Sequence, residues 1–345
     1  MTKGGSIFVL SGEDLTLPFA EIKALIQTYS PDHTCEKLGK RVVYSSLSDS
    51  KIVSKVASRS AYCRFGGPFI SRSEGEINDR LLQSLLTDGI VVGKDKSYAV
   101  TSETLEREAQ GELGAKIKSL TGAKVSLEKP DILFQVEKTD QGLVLGYSTS
   151  GYKEFSWRTR RPRARKFFLP SAIYPKMARL LVNLSRVREA EIFSDPFCGT
   201  GSLLIEASLM GIRTVGIDRG RWIAKGAMKN LKGFNLDTES LVIRGDSTHT
   251  YLPISHLDAV STDVPYGRAS STRGKNTSTI IREFSSALAG ILVNDDRRRV
   301  PRYAVIMRPS HVELDVDRNS FQVEEEHRIY VHRSLTRAIS ILRRK

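Results

Sequence analysis

The stretch EIFSDPFCGTGSLLIEASLMGIRTVGID, residues 191–218, decides the fold. It opens on a short apolar run, Glu191–Ser194, which reads as a strand. A glycine turn follows. Ser202–Met210 then has helical apolar spacing, and Arg213–Ile217 returns to strand character. Downstream, the same alternation gives a helix over Trp222–Phe234, strands over Leu241–Arg244 and Leu257–Thr262, a helix over Ser278–Val293 and a buried strand over Tyr303–Met307. Strands alternating with helices predict βαβ units and a parallel sheet. Two strand-like runs in succession, Phe321–Val331 and Leu335–Leu342, close the chain and predict an antiparallel pair at the edge of that sheet. The expectation is an α/β domain with a mostly parallel seven-stranded sheet.

Asp195-Pro-Phe197-Cys-Gly199-Thr-Gly201 lies between the first strand and its helix. Glycines there let the backbone approach a ligand closely, and a helix N-terminus offers free N–H groups to an anionic group. A nicotinamide dinucleotide site would need Gly or Ala at position 204, which is Leu204, and the lysine of a nucleotide-triphosphate loop is absent. Asp218 closes the next strand, where a carboxylate accepts hydrogen bonds from ribose hydroxyls; Asp246 closes the third and is placed to meet an adenine edge. A lone Asp after a strand is usually a turn or helix cap. Successive acidic strand ends on the carboxyl edge of one sheet form a binding pattern.

Asp263-Val264-Pro265-Tyr266 ends the fourth strand. The exocyclic amino nitrogen of a nucleobase is a poor nucleophile, because its lone pair is delocalised into the ring. Asp263 and the Val264 carbonyl are suited to accept its two hydrogens, which favours a tetrahedral nitrogen with an aimed lone pair. Pro265 biases Val264 to extended backbone and so fixes that carbonyl. Tyr266 offers a flat face for stacking a base. Cys198 reads as a small packing residue of the glycine turn rather than a nucleophile. The six histidines have no metal-ligand spacing, so no metal is expected.

At 345 residues the chain is long enough for two or three domains. No apolar run approaches the ~18 residues of a membrane span, and Glu13 and Asp14 after the first apolar stretch argue against a signal peptide. Three cysteines without a CxxC pair suggest neither disulfides nor structural zinc. The expectation is a reduced, cytoplasmic protein. A net charge of +14 favours a polyanionic partner. The charge concentrates in residues 151–166, GYKEFSWRTRRPRARK, with seven basic residues and one acidic. The stretch has neither helical nor strand periodicity and reads as a basic linker. Its arginines Arg158, Arg160, Arg161, Arg163 and Arg165 are the candidate phosphate contacts. Ahead of it, strands are predicted over Ser6–Leu10 and Arg41–Ser45, with helices over Leu17–Tyr29 and Leu47–Ser58, in a small α+β unit ending near residue 70. A second unit has helices over Ile77–Leu86 and Glu103–Leu120, with strands over Ser97–Thr101, Val125–Leu127, Ile132–Lys138 and Leu143–Ser148.

DPFCGTG and DVPY together resemble the cofactor turn and the D-P-P-Y motif of Rossmann-like methyltransferases that modify base amino groups, with Val264 in place of the first proline. Lys166–Leu184, KFFLPSAIYPKMARLLVNL, resembles the lead-in of the tRNA guanosine-10 N2-methyltransferases. Leu113–Val136, ending KVSLEKPDILFQV, is similar to the THUMP domain. The resemblance implies a ferredoxin-like unit (1–70), a THUMP unit that grips tRNA (71–150), the basic linker (151–174) and a Rossmann-like methyltransferase domain (175–345). It implies methyl transfer from S-adenosylmethionine to guanine N2 in tRNA, giving N2-methyl- or N2,N2-dimethylguanosine at position 10. Separately, the expectation is a protein that acts alone as a monomer, with no membrane partner. Phe168, Pro170, Ser171, Asp195, Phe197, Gly199, Gly201, Asp218 and Asp246 would hold the cofactor, and Asp263, Val264, Pro265 and Tyr266 the base. The alternatives are the same chemistry at guanine 6, adenine-N6 methylation of DNA, and a tRNA-binding protein with a decayed site.

Overall fold

In the computed structural model, the described residues are 4–14, 16–73, 94–149, 156–249, 255–266, 276–292, 294, 299–333 and 335–345. The chain divides into two compact units, residues 1–155 and 156–345. The helix expected over Ile77–Leu86 and the start of the basic stretch, 151–155, lie outside the described residues.

The first unit contains strands β1 (Ser6–Leu10), β2 (Cys35–Lys37), β3 (Val42–Ser45), β4 (Cys63–Ser73), β5 (Ser97–Thr101), β6 (Lys124–Val125), β7 (Ile132–Thr139) and β8 (Gly142–Ser148). Among the described residues its helices are α1 (Leu17–Tyr29), α2 (Ser50–Arg59) and α3 (Arg107–Thr121). Each helix has a local boundary signal. Asp14 accepts from the Thr16 and Leu17 N–H groups just before α1. Asp49 caps α2 by accepting from Lys51 and Ile52. Gly122, at φ 69°, ends α3 in the left-handed region and donates to the Lys118 carbonyl.

The strands form one eight-stranded sheet in the order β2-β3-β1-β4-β8-β7-β5-β6. Strand β4 joins its two halves: Cys63–Pro68 pairs with β1, and Phe69–Ser73 with β8. The boundary expected at residue 70 therefore falls inside a strand. CRFGGPFISRS looks like a loop because it carries two glycines and a proline, but both glycines sit at close approaches. A side chain at Gly66 would meet Ala57, and one at Gly67 would meet the Tyr147 carbonyl. Two cores result. Helices α1 and α2 cover one half through Ile22, Leu25, Ile26, Val53 and Val56. Helix α3 covers the other through Leu113 and Ile117 against Tyr98, Phe134 and Val136.

The second unit begins with α4 (Trp157–Arg160) and a 3-10 turn, Pro162–Ala164, followed by α5 (Pro175–Leu184). It continues β9 (Ile192–Asp195), α6 (Ser202–Ser208), β10 (Arg213–Asp218), α7 (Arg221–Gly233), β11 (Ser240–Arg244), β12 (Ala259–Asp263), α8 (Thr277–Ala289), β13 (Tyr303–Pro309), β14 (Phe321–His332) and β15 (Leu335–Arg344). The sheet order is β11-β10-β9-β12-β13-β15-β14. The first five strands run parallel, and β15 lies antiparallel between β13 and β14. The expected α/β architecture with a seven-stranded sheet and a terminal antiparallel pair is the observed one. Strand β13 is buried along its whole length, whereas β14 alternates along the edge.

One irregularity in this sheet creates the site. Strands β9 and β12 pair only at Phe193↔Ala259 and Ser194↔Val260, and no pairing continues to their carboxyl ends. Connections leave to opposite sides there, β9 toward β10 and β12 toward β13. This is the switch point at which open α/β sheets bind ligands.

Candidate active site

The glycine turn leaves β9 with Gly199 at φ 50° and Gly201 at φ 80°, a conformation that residues with a Cβ seldom adopt. A Cβ at Gly199 would point into open space; one at Gly201 would touch Ala227 of α7. The turn is pinned from three sides. The Cys198 N–H donates to the Ile217 carbonyl (2.9 Å) and the Gly199 N–H to Asp218 Oδ2 (3.2 Å). Asn230 of α7 donates to the Thr200 carbonyl and exchanges two hydrogen bonds with the Phe167 backbone. Cys198 is buried against Gly216, its thiol pushed well up by burial and by Asp195 and Asp218. The expected packing role, and not a nucleophile's, fits that position.

Asp195 is 2% exposed. Its Oδ1 accepts from the Phe197 N–H (3.2 Å) and the Thr262 hydroxyl (2.7 Å), so it ties the turn to β12 across the split. Burial pushes its carboxyl up to about 7 against these hydrogen bonds, and Asp263 and Asp218 add to the rise. Phe197 packs edge-on against Phe284 of α8 (5.5 Å). Asp218 closes β10 with Oδ1 on the Gly220 N–H (2.8 Å), its carboxyl raised by burial. Asp246 lies after β11 and pairs with Arg219 (3.2 Å). Hydrogen bonds from Thr248 and the Arg219 charge outweigh burial and hold its carboxyl low. Ser247 donates to the Pro196 carbonyl, joining this loop to the glycine turn. Phe168, Pro170 and Ser171 are exposed on the loop that leads into α5.

The structure puts Asp263-Val264-Pro265-Tyr266 at the carboxyl end of β12, on the other side of the split from the glycine turn. Val264 is buried in the core of α8, β12 and β13, and its N–H donates to the Met307 carbonyl. The Pro265 carbonyl accepts from the Thr277 hydroxyl at the start of α8. Asp263 Oδ2 forms an ion pair with Arg337 Nη1 of β15 (3.0 Å), while Oδ1 is buried with no hydrogen-bond partner. Burial raises this carboxyl to about 6, with Arg337 opposing the rise. Arg337 Nη2 donates to the Tyr266 hydroxyl (2.6 Å). Beside Tyr266 opens a cleft of about 540 Å³, lined also by Asn276, Ser278, Pro309, His311 and Glu313. Arg337 was not anticipated from the sequence: LTRAISI marks a strand and gives no sign that one residue reaches the site.

Residues 156–174 of the basic stretch cluster with the second unit and contain the short α4 and the 3-10 turn. Arg160 pairs with Glu206 Oε1 (2.8 Å), whose side chain is fully buried and is also held by Arg179 (2.9 Å). Arg165 is buried and donates to the Ser202 hydroxyl (2.7 Å) and to the Arg160 carbonyl. These two guanidiniums are thus engaged within the second unit. Arg158, Arg161 and Arg163 are exposed. Among the described residues, no group of His, Cys, Asp and Glu could hold a metal, and no helix is long and apolar enough to cross a membrane.

Comparison with known proteins agrees with this geometry. Residues 162–339 match the RMKL-like methyltransferase domain family. In solved structures, TrmN from Thermus thermophilus superposes with a TM-score of 0.53 at 15% identity, covering 99% of this chain and 100% of that one. SMU.472, solved in complex with SAH, gives 0.54 at 13% identity, covering 100% and 99%. These likenesses establish the Rossmann-like methyltransferase fold. Among relatives, the tRNA (guanine(10)-N2)-dimethyltransferase of Methanothermobacter thermautotrophicus is 32% identical over 97% of this chain and 98% of its own length. That of Methanocaldococcus jannaschii is 31% identical over 98% and 99%. With similarity running through both units and not the catalytic motifs alone, the chain belongs to the tRNA (guanine(10)-N2)-dimethyltransferase family.

Proposed function

We propose that this protein transfers methyl groups from S-adenosylmethionine to the N2 nitrogen of a guanine in tRNA, at position 10. The observation that carries the reading is the pairing of two elements across the split between β9 and β12. On one side is a left-handed glycine turn, and on the other a half-buried carboxylate followed by a tyrosine that borders a cleft. The residues present fit the cofactor. Gly199 leaves open space where a side chain would stand, Asp218 is the acceptor for the ribose hydroxyls, and Asp246 lies beside it for the adenine edge. Bound there, the sulfonium supplies an electrophilic methyl group.

The chain's own residues do the rest. Asp263 and the Val264 carbonyl accept the two amino hydrogens and turn the nitrogen lone pair out of conjugation. Tyr266 stacks the base. Asp263 holds its negative charge beside a nitrogen that becomes positive as the bond forms, which is where preorganised charge has its largest effect. The amino group need not be deprotonated first, because it becomes strongly acidic once methylated. In duplex RNA the guanine N2 faces the shallow groove, so the nucleotide must leave the stem to reach this site. The exposed Arg158, Arg161 and Arg163 are proposed to hold tRNA phosphates, and residues 1–155, with their THUMP-like segment, to recognise the tRNA.

Mass spectrometry of nucleosides from unmodified tRNA, after incubation with the protein and S-adenosylmethionine, tests this. N2-methyl- and N2,N2-dimethylguanosine mapping to position 10 is expected. Methylation confined to position 6 would overturn the position, and methylated adenine in DNA with unmodified tRNA would overturn the substrate.

A further inference from the structure

We propose that Arg337 is a positioning residue for the methyl transfer, locking the carboxylate of Asp263 and the ring of Tyr266 into one unit. The inference rests on the reading of Asp263 as the group that orients the amino nitrogen.

The register of the sheet shows how the contact is made. Asp263 lies opposite Met307 on β13, and Pro309, two residues further along β13, lies opposite Arg337 on β15. Arg337 therefore reaches Asp263 past an intervening strand, over two strand spacings, or about 9–10 Å. Only a long side chain spans that gap. Its backbone is paired on both sides, with Pro309 of β13 and Ile329 of β14, so the base of the arm is rigid. The planar fork then serves two partners at once. Nη1 meets Asp263 Oδ2 at 3.0 Å and Met307 Sδ at 3.6 Å, and Nη2 meets the Tyr266 hydroxyl at 2.6 Å. The guanidinium carbon lies 5.6 Å from the Tyr266 ring centroid. A lysine could carry the charge but could not fork between the two groups.

Stability does not account for this arrangement. Arg337 Nε and Asp263 Oδ1 are both buried without a hydrogen-bond partner, so the pair is desolvated and incompletely satisfied. A carboxylate with one oxygen clamped and the other lacking a donor is suited to accept from a substrate amino group. Among the described residues, the charges bearing on Asp263 are Arg337 from β15 and Asp195 from β9, with Asp218 at the end of β10 acting on Asp195. From α8 come the uncharged Asn276, Thr277 and Ser278, and from the loop after β13 come His311 and Glu313, lining the adjoining cleft. Arg337 thus supplies the positive charge that opposes the protonation of Asp263.

The test is single-turnover methyl transfer at saturating tRNA and S-adenosylmethionine from pH 5 to 9, for wild type, R337K, R337M, Y266F, the R337K/Y266F double variant and D263A. Cofactor affinity by calorimetry and thermal melting are recorded for each. In wild type the rate should fall on the acid side as Asp263 protonates near pH 6. R337M should be slowed about 100-fold, the cost of misplacing a reacting group by ~1 Å. Its acid limb should move up, because burial of Asp263 is then unopposed. R337K should fall between the two in rate and in acid limb. Y266F and R337K should combine less than additively, since both loosen the same tether. Cofactor affinity should hold throughout. A purely structural role for Arg337 would lower melting temperature without moving the acid limb, and that result overturns the proposal. Wild-type rate and pH profile in R337M, with D263A slowed, would overturn it as well. A fast D263A would instead reject the reading of the site on which it rests. Should R337M not fold, R337K and Y266F decide: additive losses with an unmoved acid limb reject the tether.

Discussion

Two carboxylates at the split in the sheet are held in an environment that disfavours their charge. Asp195 is raised to about 7 by burial against hydrogen bonds from Thr262 and Phe197, and Asp263 to about 6 by burial against Arg337. A carboxyl whose folded pKa is raised contributes stability at pH below its unfolded value, near 3.8, and that contribution is lost as pH rises through the folded value. For Asp195 the loss runs from about pH 4 to above 7. Asn at this position is neutral at every pH and keeps an oxygen for Thr262 and Phe197. Asp195→Asn should therefore melt higher than wild type at pH 8 and close to wild type at pH 4. Thermal denaturation at the two pH values checks this. A variant destabilised equally at both would mean that the hydrogen-bond geometry of Asp195, and not its ionisation, dominates.

At the scale of elements, the short α4 and the 3-10 turn give five arginines in one run two different surroundings. Arg160 and Arg165 face the second unit: Arg160 reaches the fully buried Glu206 and Arg165 the Ser202 hydroxyl at the head of α6. Arg158, Arg161 and Arg163 alternate with them on the exposed side. Replacing the exposed three with Ala should leave melting unchanged and flatten the log–log salt dependence of tRNA binding by ~0.7–0.9 per lost phosphate contact. Arg179→Ala should behave in the opposite way. It removes one of the two guanidiniums on a fully buried carboxylate and leaves Arg160 in place, so stability should fall by less than the ~3–5 kcal/mol of a wholly unpaired buried charge, with little effect on the salt slope. Denaturant titration with salt-dependent binding separates the two groups; an unchanged slope in the triple variant would show that its arginines do not touch RNA.

For the whole molecule, the division at residues 155 and 156 leaves the seven-stranded sheet, the glycine turn, Asp263 and Arg337 in one unit. Residues 156–345 alone should then bind S-adenosylmethionine with the affinity of the full chain and fail to methylate tRNA. Calorimetry and methyl incorporation measure the two properties. Full activity in the fragment would remove residues 1–155 from substrate recognition.

The period of the strands and helices in the second unit, the glycine turn and the acidic strand ends were legible because each is a local property. Side-chain alternation, left-handed backbone and strand-end position are set by residues a few places apart. The pattern of β4 was not legible, since its glycines and proline mark a loop unless Ala57 and the Tyr147 carbonyl press against them. The two surroundings of the arginine run and the ion pair of Arg337 with Asp263 were equally out of reach. A guanidinium reads the same in sequence whether it faces water or a buried carboxylate. Which it faces depends on strand order and register: β15 is inserted between β13 and β14, and Glu206 is fully buried on α6. The sequence by itself determined the chemistry that the sheet edge can offer. The tertiary structure decided which charges meet there, because burial and ion pairing are made between segments far apart in the chain.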